Sequence, residues 1–129
     1  MHPSRIVTVA IERSPEEVYA FAANPENLPR WSFIESVTCD GGRWFAKTPD
    51  GTVSMRFVEQ NSFGVLDHYV RVAPDLEAYV PMRVIRSGAG SEVQFTLFRL
   101  DSMTDEAFER DAQTVLRDLA KLKEVIEST

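Results

Sequence analysis

The chain has 129 residues, of which 43% are hydrophobic and 26% charged, a balance that supports one packed core and excludes fibrous or disordered classes. Fourteen basic against twenty acidic residues give a net charge of −6, and no basic run is present. A nucleic-acid partner is therefore not expected, since phosphate contacts need clustered Lys and Arg.

Charge is unevenly spread: residues 101–129 carry eight acids and four bases, −4 of the total, and read as a solvated acidic face. The lone Cys39 excludes an internal disulfide and fits a reducing compartment. Residues 1–30 hold no apolar run of signal-peptide type, and no stretch approaches the ~20 apolar residues of a membrane span. A cytoplasmic location is the expectation. The length suits a single domain over 1–129.

Arg5–Glu12 is rich in β-branched residues and predicts a strand. Ser14-Pro15-Glu16-Glu17 then starts a helix, with Ser14 as N-cap, Pro15 in the first turn and Glu17 placed for a capping box. Asn24-Pro25 ends it and opens a second, shorter helix before Trp31. From Phe33 to Leu100 turn signals separate six further strands, expected at 33–39, 43–48, 52–60, 63–73, 76–86 and 91–100. Thr104 caps the last element. Phe108, Ala112, Val115, Leu119, Leu122 and Ile126 recur at spacings of three and four, an apolar stripe on a helix roughly 35 Å long at 1.5 Å per residue. A helix that long with one apolar face has to lie across a sheet.

The expected architecture is α+β: a seven-stranded antiparallel sheet wrapped around a long C-terminal helix, with two short helices after the first strand. That is a helix-grip fold. In Ile11–Trp31, Val80–Arg99 and Asp111–Lys123 the chain resembles the START/SRPBCC superfamily, which includes polyketide cyclase/dehydrase-like, lipid-transfer-like and birch-pollen-allergen proteins. The resemblance spans nearly the whole chain. It implies a cavity between sheet and helix that takes an apolar ligand such as a lipid, a polyketide or an isoprenoid.

Met55, Phe57, Met82, Phe95, Leu97, Phe108 and Val115 are the large apolar residues expected to face that space, with Trp31 at its mouth. The plainer reading, that they fill an ordinary core, stands beside it. Asp67-His68-Tyr69 is the most suggestive polar cluster. His68 falls on the apolar side of its strand, where a neutral imidazole can act as acid or base near pH 7, or be a core histidine satisfied by a neighbour. If residues 66 and 83 face one another, Arg83 and Tyr79 join His68 on one face, and Arg83 can hold a carboxylate or enolate oxygen; a shift of one residue breaks the group and turns Arg83 outward.

Two histidines and one cysteine provide no zinc cluster, and Gly88-Ala89-Gly90 is a hairpin turn because a strand, not a helix, follows it. No cofactor or metal is expected. Three functions compete: a carrier of a small apolar molecule, a cyclase or dehydratase using His68 and Arg83, and a surface-acting module like the chaperone-activating branch of the superfamily. The carrier is the leading expectation, with no catalysis established, as a monomer or a weak homodimer.

Overall fold

In the computed structural model, which describes residues 1–129, strand β1 (Ser4–Ile11) leads directly into helix α1 (Pro15–Ala22). Ser14 Oγ accepts the Glu17 amide at 3.2 Å, and the same hydroxyl donates to the Glu17 carboxylate, so the cap closes through side chains. Asn24 then caps a single 3₁₀ turn, Pro25–Asn27, that runs into the short helix α2 (Leu28–Trp31).

Eight strands are present, not seven, and they form two antiparallel sheets in place of one. Strands β2 (Ser36–Asp40), β3 (Arg43–Thr48), β4 (Gly51–Phe57), β5 (His68–Ala73) and β6 (Leu76–Val80) make a five-stranded sheet in sequence order. Strands β7 (Met82–Ser87) and β8 (Gly90–Phe98) join β1 in a three-stranded sheet ordered β1-β8-β7.

Two features divide the expected sheet. Pro81 interrupts the predicted strand 76–86: it has no N–H to donate, and the chain passes there from one sheet to the other. Its carbonyl still accepts from Thr96 at 2.9 Å, so the sheets meet at this corner. The predicted strand 63–73 is divided as well. Residues 64–66 lean on β7, through Val84 N to Gly64 O at 2.9 Å and Leu66 N to Met82 O at 2.8 Å, and regular pairing starts only at His68. Gly64 is required for this approach, since its φ is +72° and a Cβ would sit 2.4 Å from the Val84 carbonyl oxygen.

Helix α3 (Asp105–Glu127) begins at Thr104, whose hydroxyl accepts the Ala107 amide at 3.0 Å. It packs on β1, β8 and α2. Its buried stripe runs Ala112, Val115, Leu119, Leu122 and Ile126, while Phe108 is only half-buried. The stripe meets Val7, Ile11, Trp31, Met55, Met82 and Val93 in one apolar core. No helix is long and apolar enough to cross a membrane.

Candidate functional site

Between the inner face of the five-stranded sheet, helices α1 and α2, and the middle of α3 the core does not close. A cavity of about 150 Å³ remains there, bounded by 25 residues of which 19 are hydrophobic. β4 contributes Met55 and Phe57, β8 contributes Phe95, and α3 contributes Val115 and Leu119. Phe33 and Val58 line the cavity and are also exposed, so its mouth lies between the turn after α2 and the segment after β4. Besides its backbone hydrogen bonds, that segment is braced by Asn61. The Asn61 carboxamide oxygen accepts from the Phe63 and Val65 amides, its NH₂ donates to the Glu59 and Val65 carbonyls, and its own backbone amide donates to the Tyr19 hydroxyl of α1 at 2.9 Å.

His68 is buried in the wall between the rings of Phe57 and Phe95, at centroid distances of 5.7 and 5.9 Å. Its Nδ1 lies 3.1 Å from the Leu66 carbonyl oxygen. A carbonyl only accepts, so Nδ1 carries the proton and Nε2 of the neutral ring presents a lone pair. Burial holds its pKa below the usual histidine range, opposed by the Leu66 contact and by the Asp67 charge. Nε2 has no hydrogen-bond partner in the protein.

Two other polar groups belong to the lining. The Trp31 indole N–H is buried without any acceptor. Asp118, half-buried on α3, has its carboxyl pushed up to about 6 by desolvation, against the pull of the Phe33 backbone amide and the Arg117 charge. No Lys or Arg lines the cavity.

The structure thus places Trp31, Met55, Phe57, His68, Met82, Phe95 and Val115 around the cavity, and leaves Tyr79, Arg83, Leu97 and Phe108 outside it. The conditional grouping of Arg83 and Tyr79 with His68 is corrected by the strand register. At the turn Ala73 opposes Leu76, the register that would set residue 66 against 83; a bulge at Val72 then slips the pairing by one. His68 opposes Val80, Tyr69 opposes Tyr79, and Val65 opposes Arg83. Arg83 consequently sits on the far side, ion-paired to the buried Asp67, which also accepts the Met82 amide at 2.9 Å and the Tyr79 hydroxyl at 2.8 Å. That hydrogen bond raises the Tyr79 phenol above its ordinary pKa. Tyr79 stacks on Tyr69 at 5.0 Å, and the Arg56 guanidinium covers the other end of the row, 3.8 Å from the Tyr69 ring. Leu97 packs at the margin of the core.

Asp118 is the site residue that the sequence reading passed over. The signal existed: it stands three residues after Val115 and four before Leu122, inside the buried stripe.

No family model matches the chain, and no curated protein matches it by sequence. Solved structures do. An uncharacterised protein from Bacillus thuringiensis is 20% identical with a TM-score of 0.79, over 96% of this chain and 98% of that one. The Aha1 dimer from Colwellia psychrerythraea is 14% identical with a TM-score of 0.79, covering 97% and 96%. A START superfamily protein from Mycobacterium smegmatis is 11% identical with a TM-score of 0.78, covering 99% of both. These likenesses run end to end, and they identify the chain's architecture as the helix-grip fold of START-superfamily proteins.

Proposed function

We propose that the protein binds a small apolar molecule between its sheet and its C-terminal helix. The observation that carries this reading is the apolar cavity of about 150 Å³ left in an otherwise packed core. Voids larger than a water molecule are few in protein interiors, and an apolar one of ~150 Å³ stays dry and accepts a ligand the size of benzene. The volume favours a single ring or a short branched chain over a diacyl lipid or an extended polyketide.

The cyclase alternative required His68 and Arg83 in one pocket, and Arg83 lies outside the cavity lining, committed to Asp67. No Lys or Arg lines the cavity, so the cationic partner that this reading assigned to Arg83 is not replaced by another there. Simple binding requires only the space and its lining.

Thermal denaturation with toluene, naphthalene and cyclohexanol as probes tests the proposal. At least one should raise Tm in a saturable way, as mass action demands of a ligand specific to the folded state. Val115→Phe, which places a ring in the cavity, should stay folded and lose the shift. No shift with any probe, or an undiminished shift in the folded variant, would refute cavity binding.

A further inference from the structure

Building on cavity binding, we infer that the occupant is a neutral aromatic alcohol, a phenol, whose hydroxyl donates to Nε2 of His68. The imidazole is buried between Phe57 and Phe95, its Nδ1–H is used by the Leu66 carbonyl, and nothing in the protein donates to Nε2. A ligand without a donor leaves this acceptor unsatisfied in an apolar wall, where a missing hydrogen bond is most expensive.

Elsewhere in the lining, on α2, is the opposite need. Trp31 is buried and its indole N–H has no acceptor. A hydroxyl is the smallest group that donates and accepts at once. A hydrocarbon satisfies neither site.

Charge selects for a neutral ligand. No Lys or Arg faces the cavity, and of the two acids in its lining Asp67 is already paired with Arg83, which leaves Asp118 as the unpaired one. A carboxylate ligand would be desolvated beside Asp118 with no cation in the lining to compensate. Arg83 cannot serve, because it lies outside the lining and is paired with Asp67. An ammonium group would find Asp118, but it offers no lone pair to the Trp31 N–H and loses its hydration among hydrophobic walls. Ring size and shape follow from the volume and from the surrounding Phe57, Phe95 and Trp31.

Isothermal titration at pH 7.5 with toluene, p-cresol, p-toluate and benzylamine separates these possibilities. The four probes have similar bulk and differ in the group presented. p-Cresol should bind on the order of tenfold more tightly than toluene, the worth of one well-made buried hydrogen bond. p-Toluate and benzylamine should bind more weakly than toluene. His68→Phe should lower the ratio of p-cresol to toluene affinity towards one, and His68→Gln, which keeps an acceptor, should restore part of that ratio. Equal affinity for toluene and p-cresol overturns the phenol inference while leaving apolar binding intact, as does tighter binding of p-toluate or benzylamine. If none of the four binds, cavity binding itself falls and the inference falls with it. The wild-type series decides these outcomes even if a variant fails to fold.

Discussion

Asp118 does not behave as an ordinary surface carboxylate. Its carboxyl titrates at about 6 in the folded protein, against 3.8 when unperturbed. The folded state therefore holds this proton more tightly than the unfolded chain. Its contribution favours folding at low pH, is lost as pH rises from about 4 through 6, and is a constant penalty above that. Asp118→Asn should raise Tm at pH 7.5 and change little at pH 4, with a Tm-against-pH series as the check. His68 has the opposite sign. Its lowered pKa means that the unfolded chain takes up the proton first, so its stabilisation is present above about 6.5 and fades as pH falls. His68→Phe should flatten the acid side of the same curve. At the back of the strand, Asp67 accepts from the Met82 amide, the Tyr79 hydroxyl and Arg83. Asp67→Ala strands the buried Met82 amide and should cost roughly 2 kcal/mol in chemical denaturation.

At the scale of elements, the segment from Val58 to Asp67 decides how the two sheets meet. Gly64→Ala forces a Cβ against the Val84 carbonyl at a positive φ, and should destabilise by about 2 kcal/mol or more, measured by urea unfolding. By contrast, Thr104→Ala removes one exposed cap from α3 and should cost about 1 kcal/mol. Helix α3 was legible in the sequence because periodicity, cap and first-turn acids all agreed at Thr104–Glu109. Its inward edge, Asp118, was not, since a charged residue inside an apolar stripe reads as solvated until burial is seen. Most strands were legible, but 76–86 was expected as one strand where β6 and β7 are two, and the division into two sheets was not legible. Pro81 stands plainly in the sequence, yet only the structure shows that the chain changes sheets there. The bulge at Val72 has no Gly or Pro to announce it, and the slip it introduces turns Arg83 and Tyr79 away from His68. The apolar lining residues Met55, Phe57, Met82 and Phe95 were legible because side chains alternate faithfully within each strand, whatever the register between strands.

For the whole molecule, the end-to-end likeness to helix-grip structures sets the frame, and the cavity within it is the feature that function is argued from. The chain carries four methionines: Met55 and Met82 line the cavity, whereas Met1 and Met103 lie away from it. They provide internal probes and controls at once. Toluene titrated into protein carrying ¹³C-labelled methionine methyls, followed by NMR, tests cavity binding most directly. Cavity occupancy predicts saturable shifts of the Met55 and Met82 methyls, with Met1 and Met103 unmoved. Four stationary resonances at the solubility limit of toluene, or four that drift together without saturating, would contradict it.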